Sequence, residues 1–247
     1  MVYLKTDNEL ALMRVAGRLT KEALQLAEEK VKPGVTTAEI DKAVADFIKK
    51  SNAEASFLNY NGYPKSICVS VDDEVVHGIP GKRLLKEGSI VSIDIGVFKD
   101  GFHGDAARTF AVGKISPEKQ QLIEVTEQCF FKGAELVKEC VRLGDIGYAI
   151  NAHAERFGYS TVKVLVGHGI GRKMHEDPNI PNYGSRGKGV RLSAGMTLAI
   201  EPMINAGTFE VVMRDDGWTM VTKDGKPSAH YENTLAVTKD GCEILTV

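Results

Sequence analysis

The first fifty residues carry apolar side chains at helical spacing in two runs. Thr6 and Glu9 have the spacing of a capping box, and so do Thr36 and Glu39. Pro33-Gly34 separates the runs, which predicts one helix that ends before Pro33 and a second that begins after Thr36. The apolar positions are Leu10, Met13, Ala16, Leu19, Ala23 and Ala27 in the first run, and Ile40, Val44, Phe47 and Ile48 in the second.

A second helix pair is predicted in the other half of the chain. Ser116-Pro117-Glu118 supplies a cap residue, a proline at the first helical position and an early acid. We expect this third helix to run to about Gly144. A fourth helix is expected from about Ile146 to Phe157, because Gly158 follows as a stop signal.

The residues between the helix pairs alternate as strands do. Ile90 to Val97 and His103 to Val112 flank Lys99-Asp100-Gly101, which predicts a β-hairpin. If the turn is centred on Lys99 and Asp100, Asp94 and Asp105 lie opposite each other on the same face.

Two facing carboxylates in an apolar strand repel each other and lose hydration. A divalent cation between Asp94 and Asp105 would remove both costs. The alternatives are an exposed polar face, or a slip of one residue that places the two side chains on opposite faces.

Three short matches relate the two halves in the same order. Val31-Lys-Pro-Gly34 with Ile40 resembles Val141-Arg-Leu-Gly144 with Ile150, His77-Gly-Ile79 resembles His168-Gly-Ile170, and Leu85 to Asp94 resembles Leu192 to Glu201. We therefore expect one domain, residues 1–247, with a duplicated helix-helix-strand unit at approximately 9–113 and 117–240. The repeat would place Asp94 and Glu201 at equivalent strand ends, and His77 and His168 in equivalent loops.

Composition narrows the class of protein. The 247 residues are 43% hydrophobic and 26% charged, with a formal net charge of −2 and no long run of one sign, so no nucleic-acid or membrane surface is expected. The N-terminus lacks a signal-peptide pattern, which favours a cytoplasmic location. Reduced thiols are expected because the cysteines are widely scattered: Cys68, Cys129, Cys140 and Cys242.

More metal-ligand residues follow in the second half. His168 lies in the glycine-rich run Gly167 to Gly171, Glu201 precedes Pro202, and Glu232 precedes the apolar strand Asn233 to Val237. Each of them alone could be a hydrogen-bonded structural residue. Together with the two aspartates they form an oxygen-rich set that suits Mn, Fe, Co or Zn in a two-metal hydrolytic site.

These residues stand in motifs that resemble type I methionine aminopeptidase over nearly the whole chain. The motifs are Tyr63-Pro-Lys-Ser66, His77-Gly-Ile-Pro80, Asp94-Ile-Gly96, Asp100-Gly-Phe-His-Gly-Asp105, Gly167-His-Gly-Ile-Gly171, Glu201-Pro202 and Glu232-Asn233. The resemblance implies the pita-bread fold, an α/β domain of two pseudo-two-fold related halves with a curved antiparallel sheet. It also implies removal of the N-terminal methionine from nascent proteins when the second residue is small.

The resemblance assigns a role to each ligand residue. Asp94 would bind one ion, His168 and Glu201 the other, and Asp105 and Glu232 would bridge them. Two divalent ions, of Co, Mn, Fe or Zn, would activate a water for attack on the first peptide bond. The family's mechanism also gives Glu201 a proton-relay role. The remaining catalytic residues would be His77 and His175, which hold the substrate amide and stabilise the tetrahedral intermediate.

The resemblance further predicts an apolar pocket for the methionine side chain. Phe57 departs from the family, where a small residue is usual in bacterial members, and Met174 stands where phenylalanine is common. The expected partners are peptide and nascent-protein N-termini, including those at the ribosome, and the family is usually monomeric. The predicted pocket walls are Phe57, Tyr60, Tyr63, Cys68, Met174 and Trp218.

Other classes of protein remain as alternatives. An aminopeptidase P or prolidase has a similar fold and metal set but usually carries an additional N-terminal domain. A non-catalytic relative on the same scaffold typically lacks metal ligands, whereas every expected ligand is present here. A metal-storage protein would not need His77, His175 and the aromatic set.

Overall fold

The computed structural model describes residues 2–247, and three of its four helices begin at the predicted caps. Both predicted capping boxes are present, at Thr6 with Glu9 and at Thr36 with Glu39. The Ser116 side chain accepts a hydrogen bond from the Lys119 backbone N–H, as expected of an N-cap. The described residues form four α-helices: α1 Asp7–Lys30, α2 Thr37–Lys50, α3 Pro117–Ala134 and α4 Leu143–Arg156.

The predicted boundary between the third and fourth helices is wrong. α3 ends at Ala134 instead of continuing to about Gly144, and α4 begins at Leu143 instead of Ile146. The intervening backbone forms tertiary hydrogen bonds: the Glu139 N–H donates to Thr238 and the Cys140 N–H to Leu192. Helical spacing alone cannot reveal these distant partners.

The strands form antiparallel sheets between the two helix pairs. In the first half they are β1 Glu54–Ala55, β2 Cys68–Val71, β3 Glu74–Val76, β4 Ile90–Lys99 and β5 Phe102–Ala111, with a short 3₁₀ turn at Tyr60–Gly62. In the second half they are β6 Ser160–Thr161, β7 Gly167–Gly169, β8 Glu176–Ile180, β9 Thr197–Ile200, β10 Met203–Asn205, β11 Val211–Met213, β12 Met220–Thr222, β13 Ser228–His230, β14 Asn233–Val237 and β15 Cys242–Ile244.

Two of these sheets each pack one face against a helix pair and turn the other face toward the interior of the molecule. One has the order β1-β4-β2 with β5 also paired to β4, and the other has the order β15-β14-β9-β7-β8. The alternate residues Val91, Ile93 and Ile95 of β4 pack against α1 and α2. Leu198 and Leu235 of the second sheet pack in the same way against α3 and α4. The intervening residues of each strand therefore face away from the helices.

The predicted hairpin is present, but its register differs from the expectation. Asp94 pairs with Ala107, and Asp105 pairs with Gly96, so the two aspartates are diagonal neighbours on one face and not direct partners. The two-residue turn consists of Asp100 and Gly101, both with positive φ. The shift of the turn centre by one residue changes the pairing by two, which preserves the shared face.

α1 lies directly on this hairpin because Gly104 has no side chain to separate the two backbones. A Cβ added at Gly104 would lie 2.8 Å from the Gly17 backbone nitrogen. The Thr20 hydroxyl donates to the Gly104 carbonyl oxygen at 3.1 Å. The residue next to Gly104 is Asp105, whose side chain points to the opposite face of the hairpin, so this contact fixes the backbone beside a predicted metal ligand.

Two of the sequence matches between the halves fall on positions that are not equivalent in the structure. The Gly34 N–H donates to the Leu85 carbonyl oxygen. In the second half the corresponding hydrogen bond, to the Leu192 carbonyl oxygen, comes from Cys140 and not from Gly144. Gly34 and Cys140 both have positive φ. His168 lies within β7, whereas His77 follows β3 in a positive-φ conformation. The expectation of equivalent histidine loops is therefore wrong.

The strand match has a different outcome. Leu85 and Leu192 do make corresponding hydrogen bonds, to Val35 and Val141. Asp94 lies in the middle of β4, however, while Glu201 follows the end of the shorter β9, so the expectation of equivalent strand ends is also wrong.

Candidate active site

Strand alternation brings the predicted ligands to one inner surface. Asp94 and Asp105 lie on the face of the β4–β5 hairpin that points away from α1 and α2. In the second sheet His168 pairs with Ala199, and Asn233 pairs with Ile200, which brings Glu232 next to Glu201. The two sheets are joined next to the site, since the Glu232 N–H donates to the Ala107 carbonyl oxygen at 2.9 Å.

The ligand residues and the predicted pocket residues line a single cavity of about 180 Å³. Asn61 is an additional wall residue that the sequence analysis did not select. The structure thus brings together every residue predicted for catalysis, substrate binding or metal binding: Phe57, Tyr60, Tyr63, Cys68, His77, Asp94, Asp105, His168, Met174, His175, Glu201, Trp218 and Glu232.

His168 is held with one nitrogen free to bind a cation. Its Nδ1 lies 2.8 Å from the Gly169 carbonyl oxygen, which can only accept, so Nδ1 carries the hydrogen. The unprotonated Nε2 lies 3.7 Å from Asp105 Oδ2 and 3.7 Å from Glu201 Oε1. Burial lowers the pKa of His168 to about 4, which keeps the ring neutral and its lone pair available.

The carboxyl groups around His168 are poorly satisfied without a cation. Asp105 and Glu232 are only 3% and 1% exposed. Asp94 Oδ1, Asp105 Oδ1 and Glu232 Oε1 are buried without a hydrogen-bond partner in the described part of the chain. Burial raises the pKa of Asp94, Glu201 and Glu232, and the neighbouring carboxylates raise each of them further.

These observations fit a metal centre. Ligand atoms of Asp105, His168 and Glu232 lie within 4.8 Å of one another. Ligands at about 2.0–2.2 Å from one ion are roughly 3.0–3.5 Å apart, so small side-chain movements would suffice to bind one. Divalent cations would neutralise the repulsion between the carboxylates and satisfy their free oxygens.

The other end of the cavity is apolar and aromatic. Tyr63 and Trp218 meet edge to face with ring centroids 5.1 Å apart. The Tyr63 hydroxyl donates to the Gly78 carbonyl oxygen at 2.9 Å, so its ring presents an apolar edge to the cavity. Cys68 and Met174, which are 4% and 2% exposed, add polarisable sulfur to the lining.

Two further histidines line the same cavity. His175 Nδ1 is 2.8 Å from the Tyr60 hydroxyl, and its ring lies 4.1 Å from that of His168 between centroids. His77 occupies a positive-φ position after β3. Burial, together with the neighbouring His175, lowers the pKa of His77 to about 4, so His77 is neutral at pH 7.

The sequence analysis missed residues that contact the predicted ligands without lining the cavity. His230 is 1% exposed, and its Nε2 lies 3.8 Å from Glu201 Oε2. Asn182 Nδ2 donates to the Glu201 carbonyl oxygen at 2.9 Å, and Arg108 donates to that of Glu232 at 2.5 Å. The position of His230, two residues before the predicted ligand Glu232, was a signal in the sequence that could have identified it. Asn182 and Arg108 gave no such signal.

Antiparallel sheets flanked by two helix pairs, with this acidic and imidazole cluster on their inner faces, are the arrangement expected of a metallohydrolase with the pita-bread fold. Comparison with known proteins defines the family. The model of metallopeptidase family M24 matches residues 11–239. The chain belongs to this family.

Close relatives extend over the full length of the chain. The methionine aminopeptidase of Clostridium perfringens is 54% identical over 247 residues, which cover all of this chain and 99% of the relative. Methionine aminopeptidase 1 of Bacillus subtilis is 50% identical over 246 residues, with coverage of 100% and 99%. The chain is therefore similar in sequence and in extent to proteins of that name.

Solved structures agree in fold. The methionine aminopeptidase of Rickettsia prowazekii superimposes with a TM-score of 0.99 at 45% identity, and all of both chains is covered. The prolidase of Pyrococcus horikoshii has a TM-score of 0.78 at 21% identity, and the match covers 99% of this chain but only 63% of the prolidase. The prolidase likeness shows the shared fold alone.

Proposed function

We propose that this protein removes the N-terminal methionine from peptides and nascent proteins by metal-dependent hydrolysis. The observation that carries the proposal is the single cavity in which a buried cluster of metal-ligand side chains adjoins an apolar pocket. The full-length relatives named methionine aminopeptidase support this substrate. The chain is a metallo-aminopeptidase, which is a class of hydrolase.

We propose that the cluster holds two divalent ions. Asp94 would bind one, His168 and Glu201 the other, and Asp105 with Glu232 would bridge them, which agrees with the diagonal position of the two aspartates on one face. When bound, such ions acidify water and polarise the scissile carbonyl. The oxygen-rich set with one imidazole accommodates Mn, Fe, Co or Zn.

The protein's own groups would orient the substrate and move protons. Glu201 lies at the end of β9 with its side chain 15% exposed, so it can take a proton from water and pass it to the leaving amine. Neutral His77 and His175 can each donate one N–H to the substrate amide or to the oxygen that becomes negative. Tyr60 fixes the His175 ring through the bond to Nδ1.

We propose that the apolar end of the cavity receives the methionine side chain. Phe57, Tyr63 and Trp218 would contact its methylene groups, while Cys68 and Met174 would pack against its sulfur. The preference for substrates with a small second residue is an expectation from the family resemblance. A narrow space beyond the scissile bond would explain this preference.

We also propose that residues 1–247 act as one monomeric catalytic domain in the cytoplasm, with the repeat at approximately 9–113 and 117–240. The hydrogen bonds of Gly34 and Cys140 to Leu85 and Leu192 support the repeat. None of the helices in residues 2–247 is long and apolar enough to cross a membrane. Sedimentation of the purified chain tests the monomer, and a dimer would contradict it.

The decisive experiment compares two peptides with metal-stripped protein. A Met-Ala peptide and an X-Pro peptide are incubated side by side while Mn(II) or Co(II) is titrated. We expect methionine release only with added metal and no X-Pro cleavage. Cleavage of the X-Pro peptide would indicate a prolidase or aminopeptidase P instead. Cleavage of neither peptide despite bound metal would indicate a binding protein.

A further inference from the structure

His230 is a buried polar side chain for which the proposed reaction has no role. It is the last residue of β13 and pairs with Met203 of β10. Its backbone is fixed on the other side as well, since the His230 N–H donates to Thr109 Oγ1 at 2.8 Å and the Thr109 hydroxyl lies 2.9 Å from the His230 carbonyl oxygen. The position of the imidazole is thus set by two neighbouring strands.

The ring of His230 points into the carboxylate cluster. Its Nε2 lies 3.8 Å from Glu201 Oε2 and 3.9 Å from Glu232 Oε2. Within residues 2–247 neither ring nitrogen has a hydrogen-bond partner. A fully buried imidazole without a partner is costly, and the two groups that Nε2 faces can only accept a hydrogen bond when they are ionised.

We infer that His230 is a positioning residue whose Nε2–H donates to the carboxylates of Glu201 and Glu232 when these bind metal. The inference rests on the proposed function, in which both glutamates are ligands. A donor behind a liganding carboxylate restricts its rotation and selects which oxygen faces the ion. Glu201 and Glu232 share this donor, so one side chain would orient a terminal and a bridging ligand together.

The test compares variants that remove or keep the donor. His230→Leu and His230→Met lack an N–H, and His230→Gln retains one on its amide. His153→Leu is the matched control, because His153 lies on α4, where it contacts Gln128 at 2.9 Å and lies outside the site cavity. Each variant is checked for folding by circular dichroism before Mn(II) binding is measured by calorimetry and Met-Ala hydrolysis by steady-state kinetics.

We expect the donor-free variants to bind Mn(II) about 10-fold more weakly and to lose about 10- to 100-fold in kcat with KM nearly unchanged. His230→Gln should recover both quantities to within about 3-fold, since its amide N–H can replace Nε2–H. The His153→Leu protein should resemble the parent. If His230→Leu does not fold, His230→Met supplies the donor-free measurement.

Two results would overturn the inference. Donor-free variants with the parent's Mn(II) affinity and kcat would show that the donor has no effect. Loss of one equivalent of Mn(II) in every variant, including His230→Gln, would show that His230 is itself a ligand. If the parent released no methionine, the proposed function would fail, while the calorimetric comparison would still decide the role of His230.

Discussion

The two ends of the cavity are built from different kinds of structure. Asp94, Asp105 and His168 lie on paired strands, and Glu201 directly follows one. The aromatic walls come instead from connecting segments: Phe57, Tyr60 and Tyr63 between β1 and β2, and Trp218 in the turn between β11 and β12. Ligand geometry is therefore fixed by sheet register, while the substrate pocket depends on loops that can change without altering the sheets.

The largest effect is expected when the strand-borne cluster loses a ligand. Asp105→Ala should reduce kcat by roughly 1000-fold or more, because it removes the ligand proposed to bridge the two ions. Kinetics with saturating Mn(II) and calorimetric counting of bound ions provide the measurement. Asp240→Ala, in an exposed loop, is the matched control. Retention of both ions and of turnover in Asp105→Ala would contradict the proposed two-metal site.

The carboxylate end should also make the metal-free protein sensitive to pH. Burial raises the pKa of Asp105 from 3.8 to about 8 and lowers the pKa of His168 from 6.5 to about 4. Between about pH 4 and 6.5, rising pH lowers the free energy of unfolding through Asp105, because its carboxyl stays protonated only in the folded state. Over the same range rising pH increases the free energy of unfolding through His168, which is neutral in the folded state, so the two effects oppose each other. Above pH 6.5 the histidine is neutral in both states, and only the loss from the carboxyl remains.

The free energy of unfolding of the metal-free protein should therefore fall between pH 6.5 and 8, by about 1.4 kcal/mol per pH unit for one such carboxyl. Urea unfolding in EDTA measures this slope. Added Mn(II) should abolish it by binding the ionised groups, and Asp105→Asn should reduce it. A metal-free protein whose stability is constant over this range would contradict the strained carboxylate cluster.

A smaller effect is expected at the loop-borne end. Trp218→Ala should raise KM for Met-Ala by about 10-fold with a modest change in kcat, because the Tyr63 ring loses its edge contact and the pocket opens to water. Phe209→Ala, which changes a 44% exposed aromatic residue near the same hairpin, is the control. An unchanged KM in the Trp218 variant would place the methionine side chain elsewhere.

The smallest effect should follow from Phe57, which departs from the bacterial members of the family. The Phe57 ring packs on β4, where a Cβ added at Gly96 would lie 2.8 Å from its Cε1 atom. Phe57→Cys should enlarge the pocket and change kcat/KM for Met-Ala by less than about 5-fold, with a relative gain for longer unbranched first residues. A loss as large as that of Trp218→Ala would mean that Phe57 is a principal wall.

Local signals in the sequence were sufficient for three of the four helix starts and for the presence of the hairpin. Thr6, Thr36 and Ser116 cap helices as predicted, because an N-cap needs only residues three positions away. The end of α3 could not be predicted in this way, since the chain after Ala134 bonds to Leu192 and Thr238. These three helix starts depended on neighbours in the sequence, whereas the end of α3 depended on hydrogen bonds to distant backbone.

The same division applies to the site. The sequence by itself determined which residue types line the cavity, because ordered motifs over the whole chain identified Asp94, Asp105, His168, Glu201 and Glu232. Only the tertiary structure decided their arrangement: a turn displaced by one residue made the two aspartates diagonal neighbours. The fold alone also placed His230 next to the two glutamates. A motif records the identity of residues, whereas distances across paired strands depend on register and on the contact between sheets.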